Sequence, residues 1–248
     1  MAERRASNFT HRWPIWLLFL TLGLGGCGHL PPEEKLPDRE PGLTYLGREP
    51  GHPQNMLYQV QGLTFTVFPG VFQPAADTLA LLRHTQIHPG ERVLDIGTGT
   101  GVQAIFAART ARHVVATDIS PTAVRNTRYN AKRLGVADKV SVRLGDLFSP
   151  IDPRKRFDVI LFNIDYPNSD ADLALWNVHE RFFAQVKRHL KPGGRLYYQF
   201  GFRRNMARLQ DMLRRNGLQI VAQFQTPAIV PGEQYITCVI QPRPPDRQ

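Results

Sequence analysis

Hydrophobic positions along this chain follow two rhythms. Short runs rich in β-branched and aromatic residues occur at 93–96, 113–117, 140–144, 157–163, 195–200, 218–225 and 234–241. Between them, apolar residues recur at helical spacing: Val102, Ile105 and Phe106 in one stretch, then Leu173, Leu175, Trp176, Phe182, Phe183, Val186 and Leu190 in another. A strand period and a helix period that alternate in this way predict an α/β fold. The run at 157–163 is apolar almost throughout, as a strand covered on both faces requires. Punctuation agrees with the pattern. Ser120-Pro121 supplies an N-cap and a first helical residue for a helix through Arg133 that stops at Gly135. Asp77 or Thr78 caps a helix that packs Leu79, Leu81 and Leu82, Lys191-Pro192-Gly193-Gly194 ends the helix over 171–190, and Gly217 ends one over 205–215. The predicted architecture is a Rossmann-like seven-stranded mixed sheet with helices on both faces.

The first of the central strands runs straight into Asp95-Ile96-Gly97-Thr98-Gly99-Thr100-Gly101. Glycines let the backbone approach a ligand, and the helix that follows offers free N–H groups at its positive end. That is a nucleotide-type cofactor turn at the end of a strand in an open sheet. The dinucleotide fingerprint fails in the register of Gly97 and Gly99, where Val102 takes the third site, and passes in the register Gly99, Gly101, Ala104. An NAD(P)-dependent oxidoreductase therefore stays open at this point. Acids close three successive strands or their turns, at Asp95, Asp118 and Asp146.

The pattern Asp95-x-Gly97-x-Gly99-x-Gly101, with Asp118 after the next strand, resembles motif I and its sequel in the class I S-adenosylmethionine-dependent methyltransferases. The Lys-Pro-Gly-Gly element and the closing strand pair look similar as well. The resemblance spans roughly residues 73–241. It implies S-adenosyl-L-methionine as cofactor, with Asp95 near its ammonium end, Asp118 on the ribose hydroxyls and Asp146 at the adenine amino group. It also places Gly97, Thr98, Gly99, Gly101, Ile119, Leu147, Thr78 and Asn163 around the cofactor. Pro74, Asp77 and Thr78 match a Pro-x-x-Asp-Thr element of the narrower "methyltransferase small domain" group, where the segment would form a lid. That group carries Asn-Pro-Pro-Tyr after its fourth strand. Here the stretch is Asn163-Ile164-Asp165-Tyr166-Pro167, which keeps Asn163 and Tyr166 and replaces the second proline by a carboxylate. The resulting expectation is that Asn163 orients a methyl acceptor, Asp165 accepts a proton or hydrogen bond, and Tyr166 forms a wall. The acceptor itself is left unidentified: a protein, a nucleic acid or a small molecule, with a nitrogen of a protein or nucleic acid as candidates.

The N-terminus points elsewhere. Arg4, Arg5 and Arg12 precede an apolar run over 13–24 that is short for a membrane span. Leu24-Gly25-Gly26-Cys27 resembles a bacterial lipoprotein signal, which implies lipidation of Cys27. Residues 1–26 then read as a signal peptide, 27–55 as a proline-rich tether and 56–248 as the methyltransferase domain. The expected location is the cell envelope, anchored to the membrane, or the cytoplasm if translation starts nearer Met56. Export would separate the domain from a cofactor made in the cytoplasm, so a non-catalytic envelope lipoprotein with a retained methyltransferase fold is a second alternative. The chain holds 248 residues and only two cysteines, so Cys238 is left alone and reads as a small buried hydrophobe. Eight histidines show no metal-site spacing, and no metal is expected. The net charge of +10 falls to +8 without the leader. It reads as arginine-rich solvated helix faces, since the aromatic interleaving of a single-strand nucleic-acid platform is absent.

Overall fold

Side chains alternate in direction along a strand, and the central strands use both directions for apolar contact. Val93, Val159 and Leu161 point into one core, Leu94, Ile96, Ile160 and Phe162 into another. The computed structural model, which describes residues 41–167, 169, 171–201, 205–228 and 234–244, shows why. Seven strands lie between two layers of helices. In chain order the elements are β1 (Leu43–Glu49), β2 (His52–Val60), β3 (Leu63–Val67), α1 (Ala76–His84), β4 (Arg92–Ile96), α2 (Val102–Ala108), β5 (His113–Asp118) and α3 (Pro121–Arg133), then β6 (Val140–Leu144), β7 (Phe157–Phe162), α4 (Leu173–His189), β8 (Leu190–Phe200), α5 (Met206–Arg215), β9 (Leu218–Pro227) and β10 (Gln234–Pro242).

The large sheet has the order β6-β5-β4-β7-β8-β10-β9. Its first five strands are parallel, and β10 inserts antiparallel between β8 and β9. The strand order reverses at β4, so a crevice forms outside the carboxyl ends of β4 and β7, where α/β sheets bind ligands. Helices α1, α2 and α3 cover one face through Leu79, Leu81, Ile105 and Val124. Helices α4 and α5 cover the other through Trp176, Phe182, Phe183, Leu209 and Met212, with the Phe162 and Phe182 rings stacked at 3.7 Å. Cys238 of β10 is fully buried, and burial pushes its thiol up to about 12. Ser120 caps α3 by accepting from Ala123 N at 3.3 Å, with Pro121 in the first helical position.

Three details differ from the reading of the sequence. The α1 helix begins at Ala76 with Ala75 as its N-cap, two or three residues before the expected caps, and Thr78 accepts from Ala75 N at 3.2 Å instead of capping. Lys191 to Gly194, expected as the turn before a strand, lie inside β8, with a register shift between Phe157 and Val159 of its neighbour β7.

The third difference is larger. Residues 41–55, expected as tether, carry β1 and the start of β2, and the expected boundary at residue 56 falls inside β2. With β3 these strands form a separate antiparallel sheet in the order β1-β2-β3. It is stitched to α3 by side-chain amides. Asn126 Oδ1 accepts from Phe68 N at 2.8 Å and its Nδ2 donates to Thr66 O at 2.7 Å. Asn130 Oδ1 accepts from Thr66 N at 2.9 Å and its Nδ2 donates to Thr66 O at 2.8 Å, which satisfies the edge of β3 as another strand would. The buried Glu49 accepts from Asn55, Thr66, Tyr129 and Arg133. A proline-rich, charged stretch reads as solvated, and only these partners on a distant helix reveal that it docks. Cys27, the signal segment and the first part of the tether lie outside the described residues.

Candidate functional site

The loop between β4 and α2 is held before any ligand arrives. Gly97 N and Thr98 N both donate to Thr117 O, at 2.9 and 3.0 Å, and Gly101 N donates to Thr98 O at 2.7 Å. Asp118, at the end of β5, receives Gly99 N on Oδ2 and Ser120 N on Oδ1, each at 2.9 Å. Carboxylate acceptors make these bonds stronger than amide–carbonyl ones. From α3, Thr127 donates to Gly99 O at 2.9 Å and Asn130 to Thr100 O at 2.9 Å. One asparagine therefore ties the small sheet and the glycine loop to the same helix.

Two acceptors in this cradle are left over. Asp95 Oδ2 and Thr98 Oγ are buried without a hydrogen-bond partner. Burial pushes the Asp95 carboxyl up to about 7, the nearby Thr98 side chain draws it back, and the Asp118 carboxylate adds to the shift. Gly97 is at φ +74, and a Cβ there would overlap Ile164 Cγ2, so the loop and the end of β7 touch only because residue 97 has no side chain. Orphaned acceptors plus a backbone that approaches this closely are the features a cationic, nucleoside-bearing cofactor would use.

Around the rim, Ile119 is 70% exposed, an apolar face set directly after Asp118. Leu147 is buried with φ +47, in the turn that also holds Asp146. Asp146 does not wait unpaired: Arg181 of α4 donates to both its oxygens, at 2.6 and 3.3 Å. Thr78 lies in the first turn of α1, where its carbonyl receives Gln103 Nε2 at 3.0 Å. Its hydroxyl is engaged with Ala75 N, so the structure gives Thr78 a task in starting the helix.

The segment after β7 forms the other half of the site. Asn163 lies against the Asp77 carboxyl, and its Oδ1 is buried and unpartnered. Burial raises the Asp77 carboxyl, and the Asn163 amide pulls it back. Asp165 is exposed at the surface, yet its carboxyl is raised by the protein packed around it and then by repulsion from Asp77 and Asp172. Tyr166 is half-buried, and a Cβ on Gly201 would fall within its ring. Burial, followed by the proximity of Tyr235, holds its phenol well above the ordinary value.

This segment is propped from α4, α5 and β8. His179 Nε2 meets Asp165 O at 2.9 Å, and its Nδ1 meets the Tyr198 hydroxyl at 3.0 Å. A carbonyl only accepts, so Nε2 carries the proton and Tyr198 donates to Nδ1. Burial lowers His179 to about 4, which keeps that neutral tautomer. Trp176 Nε1 donates to Ser169 O at 3.0 Å, and Asn205 Nδ2 to Pro167 O at 2.6 Å.

The structure thus brings Asp95, Gly97, Thr98, Gly99, Gly101 and Asp118 into one loop cluster, with Asn163 adjoining it through Ile164. Arg181, His179 and Asn130 are additions that sequence reasoning did not assign to the site, and Asp77, expected in a lid or as a helix cap, lies against Asn163. Asn126 and Asn130 carried a usable signal, since asparagines at i and i+4 inside a helix are unfavourable without a partner. Arg181 carried none, being one arginine among many.

The methyltransferase small domain family model matches residues 62–223. The chain belongs to the methyltransferase small domain family. It is 34% identical over 161 residues to a release factor glutamine methyltransferase from Cereibacter sphaeroides, covering 56% of this chain and 57% of that one. Against the ribosomal protein L11 methyltransferase of Geobacillus thermodenitrificans it is 39% identical over 110 residues, 44% of this chain and 31% of that one. The chain therefore spans little more than half the length of the release factor enzyme and less of the L11 enzyme. Among solved structures it resembles a ribosomal protein L11 methylase from Lactobacillus delbrueckii subsp. bulgaricus, with a TM-score of 0.57, 22% identity and coverage of 71% and 84%. A second is M. jannaschii TYW2 in complex with AdoMet, with a TM-score of 0.58, 17% identity and coverage of 76% and 87%. These two likenesses establish the fold, a seven-stranded Rossmann-like α/β sheet.

Proposed function

We propose that the protein is an S-adenosylmethionine-dependent methyltransferase acting on a nitrogen of a protein. The observation that carries the reading is the preformed loop 97–101, fixed by Asp118 and Thr117 and backed by the orphaned Asp95 Oδ2 and Thr98 Oγ. Asp95, Thr98, Gly97, Gly99, Gly101 and Asp118 hold the cofactor, and Ile119 with Leu147 and Asp146 borders its base. When bound, S-adenosylmethionine supplies an electrophilic methyl group on a sulfonium. The protein's task is then alignment, because in-line displacement by a positioned nucleophile needs little else.

Asn163 presents a free amide oxygen that can accept from an acceptor N–H and fix its orientation. Asp165, raised by the protein packed around it and by its acidic neighbours, is suited to take the proton that the nitrogen releases. Tyr166 walls the site. The likeness to enzymes named for release factors and for ribosomal protein L11 favours a protein acceptor over nucleic acid. An NAD(P) reading fares worse, since a pyrophosphate would enter a loop already flanked by the Asp95 and Asp118 carboxyls. Anchoring at the cell envelope through a lipid on Cys27 belongs to the same proposal, on the strength of Leu24-Gly25-Gly26-Cys27. Incorporation of radiolabelled fatty acid into the protein, lost in Cys27→Ser, tests it.

Calorimetric titration with S-adenosylmethionine, S-adenosylhomocysteine and NADH tests the cofactor. Binding of both adenosyl compounds and not NADH is expected. Transfer of labelled methyl to a protein fraction should follow and should fall at least about a hundredfold in Asn163→Ala and in Asp165→Ala. Adenosyl binding with no transfer to any fraction would favour the non-catalytic envelope protein instead.

A further inference from the structure

Parallel strands give a sheet two unlike edges. The cofactor loop follows the last residues of β4, and the opposite edge starts with Arg92, His113 and Phe157, the first residues of β4, β5 and β7. At that edge, beneath the segment that links β6 to β7, lies a cavity of about 170 Å³. Arg92, His113, Arg143, Lys155 and Arg156 line it, over an apolar floor of Val115, Ile151 and Phe157. Four permanent cations face one small space.

Such a concentration of like charge is unfavourable unless something answers it. The acids nearby answer it only in part: Asp152 feels Lys155 and Asp158 accepts from Arg92 N, but their close ion pairs go elsewhere. Asp152 pairs with Arg154 at 3.3 Å, Asp158 with Lys191 at 2.8 Å, and Glu91 with Arg195 at 2.7 Å. Among the described residues, no carboxylate lies within ion-pair distance of Arg92, Arg143, Lys155 or Arg156. Arg143 donates to Pro150 O at 2.9 Å and Arg156 to Pro153 O at 2.8 Å, which fixes two guanidiniums at the rim with donors to spare. His113 is held by Ser141 Oγ at 2.9 Å, and after burial its basicity is lowered by Arg92 and Arg143, so both guanidiniums bear on the imidazole.

We propose that this cavity is a binding site for a phosphate group, separate from the cofactor crevice. A tetrahedral dianion is small enough for the space, and guanidinium forks match its oxygens. The apolar floor suits a phosphate attached to an organic remainder. The phosphate can come from a free ion or from the headgroup of an anionic lipid, and the two are separable by experiment. Arg92, His113 and Phe157 set the site apart from the cofactor loop, with Arg143 reaching it from the penultimate position of β6.

The test uses the full chain. Inorganic phosphate is titrated calorimetrically at constant ionic strength against chloride, and vesicles of phosphatidylglycerol are compared with phosphatidylcholine by sedimentation. The variant is Arg92→Gln/Lys155→Gln, whose exposed side chains hold no carboxylate, with each single substitution and Arg188→Gln of α4 as controls. Thermal melting verifies that each variant is folded. Saturable phosphate binding that weakens about tenfold or more in the double variant, and not in Arg188→Gln, supports a free-phosphate site. Vesicle binding that weakens likewise, without free-phosphate binding, supports the headgroup as source. Phosphate bound no better than chloride together with vesicle binding unchanged in the double variant overturns the proposal. Saturable binding that the double variant leaves intact overturns it as well.

Discussion

The two halves of the proposed site are built by different means. The cofactor half is a knot of backbone groups, in which Gly97, Thr98, Gly99 and Ser120 N–H groups are captured by Thr117 O and the Asp118 carboxylate. Its parts are separated by about one βα unit of chain. The acceptor half is a short stretch after β7 whose shape depends on His179, Trp176, Tyr198 and Asn205, all on later elements. The first half is locally specified, the second is imposed by packing. That difference explains why the glycine loop keeps its family pattern while Asn163 to Pro167 departs from Asn-Pro-Pro-Tyr: a segment propped from outside can change its own residues and still be held in place.

The largest effect should come from cutting the knot. Asp118→Ala removes one charge-assisted bond to the loop, from Gly99 N, one to Ser120 N, and the acceptor proposed for a ribose, and each such bond contributes about 1.5–3 kcal/mol. Cofactor affinity measured by calorimetry should fall about a hundredfold or more. An affinity within a few-fold of the parent would mean that Thr127 and Asn130 alone hold the loop.

The halves also titrate with opposite sign. Asp95, raised to about 7, keeps its proton in the folded state where the unfolded chain has lost it. Stability tied to Asp95 is therefore complete below pH ~4 and drains away as pH rises through about 7. The loss is at most about 4 kcal/mol. Asp95→Asn should flatten this limb, so that its urea midpoint changes less between pH 5 and pH 8 than the parent's. A parent and variant with parallel profiles would sink the assignment.

His179 behaves in the reverse way. Lowered to about 4, it stays neutral while the unfolded chain takes up a proton below pH ~6.5, so stability is complete above that pH and is lost as pH falls toward about 4. His179→Phe removes this acid-side loss but leaves the buried Tyr198 hydroxyl and Asp165 carbonyl unpaired, at a cost of about 2–3 kcal/mol near neutral pH. Adding Tyr198→Phe should recover part of it, since removing both partners leaves fewer unsatisfied groups. Cofactor affinity should stay within about twofold in both variants while methyl transfer declines, because the prop serves only the acceptor half. Equal damage to both functions would erase the distinction between the halves.

What could be read from the chain follows the same division. Strand periods, the glycine loop, Asp118 and the Ser120-Pro121 cap are local signals, and the structure places all of them as expected. Residues 41–55 were illegible because Glu49 looks like any solvent-facing acid until Tyr129 and Arg133 reach it from α3. His179 was a lone histidine on an apolar helix face, a position that is usually just core. Lys191 to Gly194 misled because proline and glycine signal a turn, whereas β8 absorbs them through a register shift beside Phe157.

The smallest effect concerns a place where the halves meet through charge. Arg181 belongs to α4, the helix that props the acceptor segment, yet its guanidinium occupies Asp146 on the cofactor side. Both side chains are close to half exposed, 45% and 41%, so the pair contributes no more than about 1 kcal/mol. A carboxylate already neutralised by an arginine is a poorer acceptor for an adenine amino group. Arg181→Ala should therefore strengthen cofactor binding, by up to about fivefold at low salt. The gain should fade toward 0.5 M salt, roughly where the Debye length has shrunk to about 4 Å and the parent's ion pair is itself screened. Weaker binding in Arg181→Ala would reverse the relation: Arg181 would then be a positioning group that holds Asp146 for the base, and α4 would serve both halves of the site.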